Sequence, residues 1–381
     1  MIYLDNAATS FPKPPAVVAA VERFLTAVGA NPGRSGHRLS AEAARVVFTA
    51  RAAVAELLGV ADQRRVVFTA NATGALNLAL AGFLAPGDHV VTTSLEHNSV
   101  MRPLRRLRET RGIEVDIVCA DPQGRLDPGA LRAALRPRTR LVAVNHGSNV
   151  NGRIAPLAEI RRAIGAVALL VDAAQTAGAV PIEAEALGID LLAFTGHKSL
   201  LGPQGTGGLY IRPGIEIEPL LQGGTGSGSD SDAQPAILPD RFESGTPNGP
   251  GLAGLGAGAE FVAARGLAAE RERGRGLLAE MVGGLRAVEG LTFVGGADLE
   301  DRLPTVSIRV AGLTPSELAF ELDRRCGVMT RAGLHCAPEA HRTMGSFPDG
   351  AVRLSAGPLT EPGDVRRAAA AVAEIAAEAR R

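Results

Sequence analysis

Two segments decide the fold: Leu169-Leu170-Val171-Asp172-Ala173-Ala174-Gln175 and Leu191-Leu192-Ala193-Phe194-Thr195-Gly196-His197-Lys198. Each is an apolar run without polar alternation that breaks off into polar side chains. A strand with one wet face alternates. A strand covered on both faces does not, and such strands belong to parallel sheets between helices. Working outward, the same texture recurs at Val66-Val67-Phe68, Val90-Val91-Thr92, Val115-Asp116-Ile117-Val118 and Leu141-Val142-Ala143-Val144. Helical patterns over 74–84, 99–110, 128–135 and 156–164 separate them. Repeated strand–helix–strand units predict an α/β fold with a mainly parallel sheet. Ligands of such sheets sit at the carboxyl ends of the strands, where the polar residues of these segments fall.

Beyond the sheet, 222–240 is rich in Gly, Ser and Asp and reads as a long mobile loop. An Ala-, Glu- and Arg-rich stretch from Gly251 to about 289 reads as one long helix joining two units. The remainder reads as α+β, with a strand over 305–310, a helix opening at Thr314-Pro315-Ser316-Glu317, a strand over 351–355 and a final helix from Pro362. The Thr-Pro-Ser-Glu run offers an N-cap, a proline at the first helical position and a capping-box glutamate. No internal repeat and no metal-ligand spacing is present.

The 381 residues suffice for two domains. A formal net charge of zero argues against a nucleic-acid or anionic-membrane partner. No apolar run reaches the ~18 residues of a membrane span. The start, Met1-Ile2-Tyr3-Leu4-Asp5, lacks the basic and apolar regions of a secretion signal. Three cysteines, Cys119, Cys326 and Cys336, are an odd and sparse set suited to a reducing compartment, so a cytoplasmic protein is expected.

Of 40 basic residues only Lys13 and Lys198 are lysines. A guanidinium stays protonated and cannot form a Schiff base, whereas a lysine amine can, so a surviving lysine is a candidate for work that only a primary amine does. Lys13 reads as a charge on a solvated face. Lys198, directly after an apolar strand and flanked by Thr195 and His197, does not. Two further segments follow strands. Thr69-Ala70-Asn71-Ala72-Thr73-Gly74 leads into a helix, where free N–H groups and the Thr73 hydroxyl make either an anion site or an ordinary cap. Asp172 ends its strand, where it either meets a cation, such as a protonated pyridine nitrogen, or caps the next helix; Gln175 follows within reach of a ring hydroxyl.

With these residues in place, the chain resembles the class V aminotransferase-like pyridoxal-phosphate (PLP) enzymes of fold type I, and within them the cysteine desulfurases and selenocysteine lyases. The resemblance runs from Tyr3-Leu4-Asp5-Asn6-Ala7-Ala8 to near the C-terminus, through Glu96-His97, Ser148-Asn149-Val150, Asp172-Ala173-Ala174-Gln175 and Gly196-His197-Lys198. Arg331-Ala332-Gly333-Leu334-His335-Cys336-Ala337 resembles the group II enzymes, whose catalytic cysteine follows an Arg-x-Gly-x-His run. The resemblance implies a large PLP-binding α/β domain over 15–250 and a small α+β domain from 1–14 and 251–381 with the linking helix.

It also implies that Lys198 carries the cofactor as a Schiff base and removes the substrate α-proton. His97 stacks on the ring and exchanges a proton with the reacting group, while Asp172 and Gln175 hold the ring nitrogen and oxygen. Ala72 (through its backbone), Thr73, Thr195 and His197 bind the phosphate, with Thr246 of a partner subunit in a homodimer. Asn149 and Arg353 hold the substrate carboxylate, and Arg331 lies near the thiol. The Cys336 thiolate takes the sulfur of L-cysteine as a persulfide and leaves L-alanine, for delivery to a possible acceptor protein; L-selenocysteine follows the same path. On its residues alone Cys336, among Arg331, His335 and His341, suits a reactive thiolate, while Cys119 and Cys326 read as small buried hydrophobes. Ala72 stands where many relatives have threonine, Asn31-Pro32-Gly33-Arg34 lacks a histidine, and Leu334 replaces another; these departures bear on substrate choice. The rival readings are a transaminase, an epimerase or another C–S β-lyase that makes no use of Cys336, or, outside enzymes, a PLP-dependent regulator or a sulfur-carrier scaffold.

Overall fold

The computed structural model describes every residue except Arg34, Ser229 and Arg381. In chain order the strands are β1 (Ile2–Tyr3), β2 (Val66–Thr69), β3 (His89–Thr93), β4 (Glu114–Val118), β5 (Thr139–Asn145), β6 (Ala168–Asp172), β7 (Leu191–Thr195) and β8 (Gly207–Ile211), then β9 (Leu291–Val294), β10 (Thr305–Val310), β11 (Val328–Met329), β12 (Arg331–Gly333) and β13 (Ala351–Ser355). Seven of them form one sheet in the order β2-β8-β7-β6-β5-β3-β4. All neighbours from β7 to β4 are parallel, and β8 alone runs against the rest.

The unbroken apolar runs are explained by two cores. On one face Leu141, Ala143, Leu170 and Leu191 pack against helices Ala72–Phe83 and Asn98–Arg111. On the other, Val142, Val144, Val171 and Leu192 meet helices Arg38–Leu57, Leu157–Ile164 and Gly249–Arg265. The edge strand β4 is only half-buried, with Ile117 exposed. Cys119, just beyond it, is therefore exposed, against the expectation of a buried hydrophobe. Cys326, expected as a buried hydrophobe, is half-buried against the apolar core of the C-terminal unit.

The second unit is an antiparallel sheet, β12-β13-β10-β9. Its core joins β10 and β13 to helices Leu267–Arg286, Pro315–Cys326 and Pro362–Ala379. Ile2 and Leu4 belong to this core, and β1 pairs in parallel with β11. The capping box at Thr314 forms in full, with Glu317 N–H on Thr314 Oγ1 at 3.2 Å and Thr314 N–H on the Glu317 carboxylate at 2.8 Å.

The expected single helix after Gly251 is two. Gly266, at φ 78°, ends the first at Arg265, and the second begins at Leu267. Leu255, Ala259 and Val262 lie in the core of the seven-stranded unit, and Leu277, Met281 and Leu285 in that of the smaller sheet. Between Ile211 and Gly249 no described residue lies in a helix or strand.

Candidate active site

A cavity of about 210 Å³ opens where five strands of the large sheet end. Residues at or just after the ends of β2 (Ala72, Thr73), β3 (His97), β5 (Asn149), β6 (Asp172, Gln175) and β7 (Thr195, His197, Lys198) line it, and Arg331 on β12 and Arg353 on β13 close it from the smaller unit. Eleven residues singled out in the sequence thus meet in one space. Cys336 stands at its rim, with its Sγ 3.5 Å from Arg331 Nη2.

Burial pushes the Lys198 amine down to about 8, with Asp172 and Cys336 opposing and Arg353 and Arg331 adding to the effect. A lysine so placed loses its proton near neutral pH, as a nucleophile or base must. Asp172 is buried; burial raises its carboxyl above the usual range, against a 3.0 Å bond from Ala174 N–H and the charge of Lys198. Glu96, behind it, is pushed up to about 8 by burial, and its Oε1 accepts from Thr93 Oγ1 and the Asn145 N–H.

His97 accepts the Ser99 N–H on Nδ1 at 3.1 Å, which leaves the neutral ring's proton on Nε2. Burial and the surrounding cations hold its pKa down to about 4. Ser99, which no sequence feature marked, lines the cavity and joins Thr73 Oγ1 at 2.8 Å to His97 Nδ1 at 2.9 Å. Its only signal was its place in the first turn of the helix that His97 caps.

Arg353 is fully buried, with Nη2 on Asp5 Oδ1 at 2.7 Å and Nη1 on the Asn149 carbonyl at 2.9 Å. Asn149 Nδ2 donates to the His335 carbonyl at 2.6 Å, and Gln175 Nε2 to the Ala7 carbonyl at 2.9 Å. Asp5 was visible in the sequence only as part of its opening motif. Its role as partner of Arg353 depends on a contact across 348 residues.

The structure corrects Lys13. It is not a solvated surface charge: Nζ donates to the His197 carbonyl at 2.9 Å and to Ser10 Oγ at 2.7 Å, and burial pushes the amine down to about 8. Its rarity, the same signal that marked Lys198, was the clue. Thr246 lies outside the cavity, exposed in a cleft of about 630 Å³ beside the exposed apolar side chains of Phe48, Leu220 and Leu221. In the Asn31–Arg34 stretch, Arg34 is outside the described residues. Among the described residues, no group of three or more His, Cys, Asp or Glu is arranged to hold a metal ion.

The family model of the class-V aminotransferases matches residues 2–367. A probable cysteine desulfurase of Methanothermobacter thermautotrophicus is 36% identical over 345 residues, covering 88% of this chain and 84% of the relative. The apo structure of a cysteine desulfurase from Thermococcus onnurineus NA1 superposes with a TM-score of 0.93 at 33% identity, over 99% of this chain and 95% of that one. The cysteine desulfurase CsdA from Escherichia coli, in an S-sulfonic acid form, gives 0.87 at 29% identity, over 99% and 94%.

Proposed function

The chain belongs to the class-V aminotransferase family, and on that premise we propose that it is a PLP-dependent cysteine desulfurase, converting L-cysteine to L-alanine with the sulfur left as a persulfide on Cys336. The observation that carries this reading is the placing of an exposed thiol 3.5 Å from Arg331, which lines the same cavity as Lys198.

The cavity fits the cofactor. Asp172 suits a protonated ring nitrogen, and His197 Nδ1, buried without a partner, suits a phosphate oxygen. Thr73, Thr195 and the Ala72 N–H at a helix start add donors for the same anion. Lys198 would hold the cofactor covalently, with His97 and Gln175 against its ring. Bound PLP supplies an electron sink for the pair left at an amino acid's Cα.

The remaining work falls to the chain's own groups. Asn149 Oδ1, Asn145 Oδ1 and Arg353 Nε, all buried without partners in residues that line the cavity, are polar atoms free for the substrate's ends. Lys198, as the neutral amine, takes the Cα proton. The Cys336 thiolate forms a bond to the substrate sulfur as the Cβ–S bond breaks. The carbon keeps that pair, gains a proton and leaves as alanine. Arg331 favours the thiolate, and His97 Nε2 carries an exchangeable proton.

L-Selenocysteine fits the same path. The cleft holding Thr246 supports a homodimer in which this threonine reaches the partner's phosphate site. Three unpaired cysteines fit the cytoplasm, where the persulfide passes to an acceptor.

A product assay on Cys336→Ser tests the reading. The variant keeps its spectral response to L-cysteine, which needs only Lys198, Asp172 and the cofactor, but loses alanine formation and sulfur transfer. Mass spectrometry of cysteine-treated wild type finds one added sulfur, on Cys336 alone. Undiminished alanine production by Cys336→Ser would rule out Cys336 as the sulfur acceptor, and pyruvate, ammonia and sulfide as products would instead make the protein a simple β-elimination lyase.

A further inference from the structure

The thiol stands on a turn that L residues avoid. His335 has φ 50° and Cys336 φ 58°, two successive side-chain-bearing residues in the left-handed region. Each placement there costs roughly tenfold in population, so a conformation with two persists only where its surroundings impose it. Two main-chain bonds contribute: Asn149 Nδ2 on the His335 carbonyl at 2.6 Å, and the Asn98 N–H on the Cys336 carbonyl at 2.8 Å. They fix the peptide but not the side chain of His335.

That side chain is held from below. His335, His341 and Ser346 are all buried, the least so at 2% exposure. His335 Nε2 lies 3.1 Å from the Arg331 carbonyl, His335 Nδ1 lies 3.1 Å from His341 Nε2, and His341 Nδ1 lies 2.7 Å from Ser346 Oγ. A carbonyl only accepts, so His335 Nε2 carries the proton and Nδ1 is the acceptor. His341 Nε2 must then donate, its Nδ1 accepts, and the Ser346 hydroxyl donates. One neutral arrangement satisfies every atom. Burial keeps both rings neutral, holding His335 down to about 2 and His341 to about 4.

We propose that His341 and Ser346 are positioning residues for Cys336: the chain from Ser346 through His341 and His335 to the Arg331 carbonyl fixes the turn that presents the thiol beside Arg331. This rests on the reading of Cys336 as the sulfur-accepting thiol. Because the chain ends on the backbone of Arg331, it also sets the spacing between thiol and guanidinium. Neither residue touches the cavity, so their loss spares the steps that need only Lys198 and the cofactor.

The test uses the cofactor-loaded enzyme with His341→Phe, which fills the space without a donor, His341→Gln, which restores a donor, and Ser346→Ala, which removes one hydroxyl. Three measurements are made: the visible band and its response to L-cysteine, single-turnover persulfide formation, and alkylation of Cys336 by iodoacetamide. His341→Phe is expected to keep the band and its response while persulfide formation falls about tenfold, as for one lost buried hydrogen bond. Its alkylation rate shifts as the turn relaxes. His341→Gln recovers most of the loss, and Ser346→Ala falls between. Should His341→Phe fail to fold, Ser346→Ala against wild type carries the same comparison. Wild-type persulfide formation and alkylation in Ser346→Ala and the folded His341 variants overturn the proposal, as does a loss that strikes the band and its response equally. Full sulfur transfer by Cys336→Ser would overturn the reading of the thiol itself, and the alkylation rates would still judge whether the chain holds the turn.

Discussion

The His197 carbonyl takes donors from Lys13 Nζ, Ser10 N–H, Ser10 Oγ and Thr9 Oγ1, all within 3.2 Å. That oxygen belongs to the peptide that carries Lys198, so residues 9–13 clamp the backbone of the amine proposed to hold the cofactor. The chain's two lysines meet at this peptide. Lys198 was legible because its strand, its neighbours and its rarity agreed. Lys13 shared only the rarity, and its partner lies 184 residues away, beyond any local pattern. Lys13→Met is expected to lower turnover about tenfold while costing about 2 kcal/mol of stability, the scale of a hydrogen bond to a charged group. Steady-state rates and urea unfolding check both figures. Wild-type turnover would mean that Ser10 and Thr9 suffice.

At the level of elements, strands buried on both faces announced themselves, since helices above and below β5, β6 and β7 leave no polar alternation. β8 was missed because Gly207 and Gly208 interrupt its apolar run. A side chain at Gly208 would sit 2.5 Å from the Phe194 ring, so packing requires the residues that hide the strand. The helix Gly249–Arg265 shows the same conflict. A Cβ at Gly256 would come 2.9 Å from that of Ala50, so small residues rather than a large apolar stripe mark this interface. At Gly258 a Cβ would meet the Leu200 carbonyl at 2.3 Å and the Gly202 nitrogen at 3.0 Å, in the turn just after Lys198. Gly258→Ala is therefore expected to cost about 1–3 kcal/mol through overpacking and to weaken cofactor retention. Gly276→Ala, on an exposed helical face with nothing within 4 Å, is expected to gain about 0.5–1 kcal/mol. Urea unfolding of the pair checks the contrast; equal effects would show that the helix does not bear on the lysine turn.

Over the whole molecule, the site is assembled from strand ends of one unit and two arginines of the other, and that assembly buries histidines. The individual motifs were readable, but the closure was not, because it depends on Arg331 of β12 and Arg353 of β13 reaching the cavity from the smaller unit. Burial lowers the pKa of six of the seven imidazoles: His97, His146, His197 and His341 to about 4, His335 to about 2, and His89 by an amount in the same direction. In the unfolded chain each titrates near 6.5. A folded pKa below the unfolded one means that unfolding takes up protons, so this stability is complete above about 6.5 and drains away as pH falls. Glu96, raised to about 8, and Asp172, also raised, hold their protons more tightly when folded and oppose the histidines. Near pH 5 the lowered histidines outnumber the two raised acids, so unfolding takes up protons on balance and stability falls as pH falls. Urea midpoints of the cofactor-loaded protein should therefore fall between pH 6.5 and 4.5; a separate slope is expected in alkali, above about pH 8, where Lys13 is held down to about 8 by burial. A flat midpoint across the acidic range would mean that the imidazoles are solvated and that the two units do not close over the cavity.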